Sequence, residues 1–446
     1  MRDLSIILNS SFCSILLYLL IGFDLDRSDT NLLIFSFSGL FLTFILIMFQ
    51  DISIRSIFLI GIIFRLILLF SIPNLSQDFY RFIWDGNLQL IGLNPYLYSP
   101  NQLFNSDYLF YLASDLFQGM GSISNENYSN YPPVSQFVYF ISAYFGKNNL
   151  FFSIIILKII IIFSDIGIFY FLCKLFNLLK LPIKRVGFYF LNPLIIIELT
   201  GNLHGEGIML FFFLAGIYML IKNRFFTSSL LFSISVATKL ITLMLIPSII
   251  KRNKKNNLKF YISFILFFIV LWIPFLEKNL YLNYISTLML WFNKFEFNAS
   301  IYYLIREVGF YIKGYNIIQE YSIVSILILI SVIIYFSFFK ENKSIKDILT
   351  SQLFILSLYF FISTTVHPWY LISLVTICLF TPYFYPILWS GLIFLSYTSY
   401  GSEGFEEKPL MIIIEYLLVF SFFIFEIKGN RNMIFNAFVK NLSLSK

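Results

Sequence analysis

Charge is scarce in this chain. Only 12% of its 446 residues are Asp, Glu, Lys or Arg, about half the share that a water-facing surface requires, and this excludes a soluble enzyme. Cysteine is nearly absent: Cys13, Cys173 and Cys378 are too few and too scattered for a disulfide framework or a thiolate metal site. Histidine occurs twice, at His204 and His367. The small basic excess, 31 Lys and Arg against 24 Asp and Glu, is no nucleic-acid footprint, because the bases sit in short clusters between apolar runs. Apolar side chains are what is abundant. They make up 59% of the chain, with 57 Phe and 29 Tyr and a mean hydropathy of +0.82, which excludes disorder and predicts an all-α, polytopic integral membrane protein.

A helix crossing the hydrocarbon needs about 20 apolar residues, fewer inside a bundle. The runs predict spans near 4–23, 31–49, 56–72, 150–172, 186–200, 204–221, 258–275, 315–338, 348–363, 367–380, 384–399 and 409–427. The stretch 133–146 is short enough to dip into the membrane rather than cross it. Basic residues flank 225–250 on both sides, so two short helices meeting near Lys239 fit it best. Together these give 12 to 14 spans. The first run lacks a small-residue cleavage site and reads as a span rather than a signal peptide. Three regions are expected: membrane helices over 1–72, an extracytoplasmic loop over 73–132, and a bundle over 133–446 with an outer loop near 277–314.

The positive-inside rule orients the chain. Lys174, Lys180, Lys184 and Arg185 mark one cytoplasmic junction, and Lys251, Arg252, Lys254, Lys255 and Lys259 mark another. Lys428, Arg431, Lys440 and Lys446 place the C-terminal tail on the same side. Asp24, Asp26, Asp29, Glu403, Glu406 and Glu407 fall outside. So does the loop 73–132, where Asp78, Asp85, Asp107, Asp115 and Glu126 face a single base, Arg81.

Charged groups are costly at membrane level and tend to mark function there. The loop opens with Ser76-Gln77-Asp78-Phe79-Tyr80-Arg81-Phe82-Ile83-Trp84-Asp85-Gly86. On a helix, this spacing puts Asp78 and Asp85 on one face with Arg81 between them. That is either an interfacial ion-pair stripe or a functional carboxylate just above the bilayer. Both histidines fall at outer ends of spans, either as interfacial residues or as part of a site. Two histidines with Glu206 have no recognised metal-ligand spacing. Glu198, behind Asn192-Pro193, is expected to face the bundle interior. Lys239 either snorkels or meets a buried anion, and Arg306 either holds a phosphate or pairs with Glu307 or a lipid headgroup.

Taken in order, these segments resemble the GT-C glycosyltransferases, in their bacterial polyprenyl-phosphate-mannose-dependent mannosyltransferase-like branch. The likeness rests on Ser76 to Tyr96, with its Tyr-Arg, Trp-Asp-Gly and Asn-Pro-Tyr elements. It continues through Tyr131-Pro132-Pro133, Asn192-Pro193 with Glu198, Gly201 to His204, Lys239, Phe297-Asn298-Ala299-Ser300 and His367-Pro368-Trp369-Tyr370. It spans about residues 60–400. Two positions depart from the pattern: Gln77 replaces the first of a usual acidic pair, and Glu206 stands where an Asp is usual.

The resemblance implies transfer of a hexose, mannose by analogy, from a polyprenyl-phosphate donor to an acceptor hydroxyl on a lipid, glycan or other glycoconjugate. The reaction would run with inversion at the outer face of a bacterial inner membrane. A phosphate leaving group needs charge stabilisation and the incoming hydroxyl needs a base. Asp78 is the expected base. Arg81, Lys239 and Arg306 are candidates for the phosphate, and His204 and His367 for hydrogen bonds to sugar or phosphate. Tyr80, Trp84 and Trp369 are candidate stacking faces. Asp85, Asn94, Tyr131, Glu198, Asn202, Glu206, Asn298 and Tyr370 complete the expected substrate-binding set. No cofactor, metal or nucleic acid is expected. A transporter or flippase of a lipid-linked sugar is the competing class, but the sequence shows neither the repeated halves common in transporters nor a transporter's need for so long an acidic loop.

Overall fold

The computed structural model describes residues 2–104, 110–253, 257–401 and 404–430. Asp107, Lys254, Lys255, Glu403, Arg431, Lys440 and Lys446, which entered the charge argument, lie outside the described residues. The architecture is helical throughout; the one sheet among the described residues is a two-residue hairpin pairing Tyr400 with Phe405.

Among the described residues, seven helices are long and apolar enough to cross a membrane: Asp3–Asp24, Thr30–Phe49, Leu150–Leu179, Asn257–Phe275, Ile318–Phe339, Ile345–Ile362 and Pro409–Gly429. An eighth span arises if Pro193–Gly201 and Glu206–Ile221, bent by 114° at their junction, count as one. This is fewer than the 12 to 14 expected. The apolar runs are present, but several are cut into shorter pieces such as Phe225–Thr238, Leu240–Ile249 and Pro368–Cys378. The expected break at Lys239 is there: an α-helix ends at Thr238, Lys239 is extended (φ −152°), and a 3-10 helix follows. Inside a bundle, neighbouring helices satisfy the backbone groups that such breaks release.

The helix ends follow local chemistry. Asp29 caps Thr30–Phe49 through Leu32 N at 3.0 Å, and Asn149 caps Leu150–Leu179 through Phe152 N at 3.0 Å. Ser344 and Asp347 form a capping box at Ile345–Ile362, and Pro133 opens Pro133–Gly146 from the first helical position. The outermost helices turn their apolar faces outward: only 11% of the Asn257–Phe275 and Ile318–Phe339 windows is buried. Such faces are stable in lipid and not in water.

Two buried ionic contacts fix the helices beneath the loop. Arg65 and Asp165, both fully buried, pair at 2.7 Å, and Arg65 also donates to the Phe190 carbonyl at 2.8 Å. The Lys158 ammonium, in the first third of Leu150–Leu179, donates to the carbonyls of Leu68 and Ser71 and to Ser71 Oγ at 2.5–2.8 Å. It thereby caps the helix Ile54–Leu68 where the chain leaves for the loop.

Candidate active site

The loop begins with the helix Asp78–Leu90, packed on Pro133–Gly146. Gly86 makes this close approach possible, because a Cβ there would collide with the Tyr139 carbonyl. Arg81 and Asp85 are buried and pair at 2.7 Å across one helical turn. Arg81 also donates to the backbone carbonyls of Ser124 and Asn127, and Asp85 accepts from Ser129 Oγ and Gln136 Nε2. This network latches the 121–129 segment, a roof over the loop, onto the helix. Arg81 is therefore engaged by Asp85 alone instead of lying between two acids, since the i, i+4 contact brings the guanidinium to the lower carboxylate.

That leaves Asp78 free to face the bundle. It is partly buried at the helix start, where Lys239, Glu206 and Arg27 surround it electrostatically. Burial pushes its carboxyl up to about 6; the Lys239 and Arg27 charges act downward and Glu206 upward. Lys239 is ion-paired with the buried Glu206, and its ammonium lies 5.7 Å from the Tyr370 ring centroid. Tyr131, Tyr370 and Tyr400 all lie within reach of the Asp78 charge. The anion partner that Lys239 needed is thus Glu206, supplied by the start of the bent helix.

The two histidines meet. Trp369 is clamped between His204, 3.7 Å away, and His367, 4.4 Å away, in near-parallel stacks. His367 stacks in turn on Phe297 at 4.7 Å. Phe297 is held by a parallel bridge to Thr365, with Phe297 N to the Thr364 carbonyl at 3.0 Å and Val366 N to the Phe297 carbonyl at 2.8 Å. The turn delivering His204 puts Leu203 in the left-handed region (φ 68°), a cost of about 1–2 kcal/mol for a residue with a Cβ. His204 N donates to the Glu198 carbonyl and Asn202 N to the Ile197 carbonyl, so the turn is fully tied down.

Other expected residues are engaged by neighbours within the fold. Glu198 is sealed by Tyr397 Oη at 2.7 Å and Asn202 Nδ2 at 3.2 Å, with His204 Nε2 3.5 Å away. Trp84 is buried against Phe110 and Phe117, and Tyr80 packs on Phe79 and Gly119. Asn94 reaches the Phe275 carbonyl and Glu277, fastening the loop to the end of Asn257–Trp272. Asn298 holds Glu407 through its backbone N–H and Glu415 through its amide. Arg306 pairs with Glu296 at 2.6 Å and Glu307 at 3.0 Å over the Tyr303 ring, the bland arrangement and not a free phosphate ligand. Both faces of Trp369 are covered, so neither is open for a sugar to stack on.

The sequence reading passed over Arg27. It lies in the turn between the first two helices, and Asn74 Nδ2 draws that turn to the loop by donating to the carbonyls of Ile21 and Leu25. Being the single base among Asp24, Asp26 and Asp29 is the signal that could have found it. Among the described residues, no three of His, Cys, Asp and Glu gather closely enough to share a metal ion.

A polytopic helical membrane protein with a half-buried carboxyl beside a lysine–glutamate pair is equipped for acid–base work on a polar substrate at the bilayer edge. Residues 29–252, half of the chain, match the family model described as alpha-(1->6)-mannopyranosyltransferase, N-terminal domain, and the chain belongs to that family. It is a mannosyl-transferring glycosyltransferase of the membrane, which decides against the transporter class. No curated protein matches the chain.

Proposed function

We propose that this enzyme transfers mannose from a polyprenyl-phosphate donor to an acceptor hydroxyl at the extracytoplasmic face of a bacterial inner membrane, in the GT-C manner, with Asp78 as general base. The observation that carries this reading is the Asp78 carboxyl, partly buried within reach of two cations and a second acid. Burial raises its basicity, and a base whose pKa lies closer to the working pH accepts a proton more effectively. The departing phosphate already carries charge and needs cations, not a proton, so one carboxylate and nearby Lys or Arg suffice. A base that directs the hydroxyl to the face opposite the phosphate inverts the anomeric carbon. A β-linked donor then yields the α linkage in the family's description.

The outward face is supported by the two ends of the helix Thr30–Phe49. Its start adjoins Arg27 and the loop. Its end, about 30 Å away, adjoins Gln50, whose carbonyl accepts from the basic Lys184. Arg185 at the same junction binds the carbonyls of Leu379 and Thr381. By the positive-inside rule this supports a cytoplasmic location for that end and an extracytoplasmic one for Asp78.

The test is transfer from synthetic polyprenyl-phosphate mannose to a mannoside acceptor by the purified chain, with Asp78→Asn alongside. Asp78→Asn is expected to lower kcat by about 10²-fold or more. Wild-type turnover in that variant refutes the base assignment.

A further inference from the structure

The cation that receives the donor's phosphate remains to be found, and the structure narrows the field. Arg81 is spent on Asp85 and two carbonyls, Arg306 on Glu296 and Glu307, and Lys239 on Glu206. Arg65 is fully buried against Asp165. Arg27 differs from all of these. Among the described residues it is in no ion pair, and its Nε is buried without a hydrogen-bond partner. Two of its three local acids are otherwise employed: Asp26 accepts from the backbone and hydroxyl of Ser28, and Asp29 caps the next helix.

Its guanidinium carbon lies over the Tyr400 ring, 3.2 Å from the centroid. Tyr400 lies 6.0 Å from Phe297, which stacks on His367. The Arg27 charge also reaches Asp78 and His367. A guanidinium held against a ring with its Nε unpartnered keeps N–H groups available to donate, and the guanidinium fork suits bidentate binding of a phosphate.

We infer that Arg27 is the phosphate-binding residue of the site, its guanidinium edge taking the phosphodiester oxygens of a polyprenyl-phosphate sugar while Tyr400 holds its face. The assignment rests on the donor class proposed above. It also makes the turn between the first two helices part of the site, although Arg27 lies just before the family match at residue 29.

The experiment measures donor KM, kcat and inhibition by free polyprenyl phosphate for wild type, R27Q and R27K. Each is assayed in phospholipid-free detergent and in nanodiscs of anionic phospholipid. For R27Q, donor KM and the inhibition constant are expected to rise about tenfold or more in both settings, with a smaller change in kcat; R27K restores part of the loss. Polyprenyl phosphate is also expected to raise the melting temperature of wild type and not of R27Q, an effect that a merely structural stack on Tyr400 would not produce. If R27Q is not recovered folded, R27K serves alone: it keeps the charge but loses the fork, and both constants rise about threefold or more. Constants within twofold of wild type in every recovered variant overturn the assignment while leaving the donor reading standing. A defect confined to nanodiscs overturns it in favour of a bilayer headgroup. Absence of transfer from polyprenyl-phosphate mannose by wild type overturns the donor reading and this assignment with it.

Discussion

The raised basicity of Asp78 makes the pH profile of kcat/KM a direct reading of the site. With the carboxyl at about 6, about 90% is ionised at pH 7 and about 10% at pH 5. Only the ionised form can accept the hydroxyl proton, so the rate is present above the pKa and lost as pH falls through it. Between pH 7 and pH 5, kcat/KM is expected to fall about tenfold. An Asp at its ordinary 3.8 would still be more than about 90% ionised at pH 5, and the profile would be nearly flat. The neighbours give the sign a second check. Lys239 acts downward on Asp78 and Glu206 upward. Lys239→Met therefore moves the acid limb to higher pH, and Glu206→Gln moves it to lower pH. Each variant also unmasks its former partner, which pushes in the same direction. The assay is initial-rate transfer in detergent from pH 4.5 to 8 at donor concentrations below KM. A flat limb in wild type, or limbs moving the wrong way in the two variants, would refute the placement of these charges around the base.

Two further predictions concern the scaffold. Asp85→Asn removes the partner of a buried guanidinium, a loss of about 3–5 kcal/mol, so thermal unfolding should occur at clearly lower temperature while donor KM in surviving protein changes little. Gly86→Ala drives a methyl into the Tyr139 carbonyl and should cost about 1–3 kcal/mol; an unchanged melting temperature would contradict the close packing of those helices.

The membrane class was legible because apolar runs and charge scarcity belong to the chain itself and need no partner. The break at Lys239 was legible too, since bases at both ends of 225–250 required an even number of crossings. Span geometry was less so: hydropathy separated 186–200 from 204–221, but it carries no information on the 114° bend between the two helices. The site was readable as a set of segments but not as a set of roles. Asp78, Lys239, Glu206 and the two histidines do gather around one end of the bundle. Whether a given cation is free or spent depends on which acid the fold brings to it. Sequence spacing alone could not tell that Arg81 would take Asp85, nor that Arg306 would take Glu296 from ten positions earlier. Arg27 was passed over because a lone base in a short acidic turn carries no motif; only the fold shows that two of its three neighbouring aspartates are occupied by local hydrogen bonds.

The Lys158 cap has a consequence for motion. By gripping the carbonyls of Leu68 and Ser71 from within a thirty-residue helix, it pins the chain up to Ser71. The Arg81 latch does the same from the other side, binding the Asp78–Leu90 helix and the segment above it into one body. The run 72–77 between them is fastened as well, because Asn74 donates to the carbonyls of Ile21 and Leu25 and Gln77 to that of Met120. The base thus sits on a seat fastened from both sides, and an acceptor hydroxyl has to be brought to it rather than the reverse.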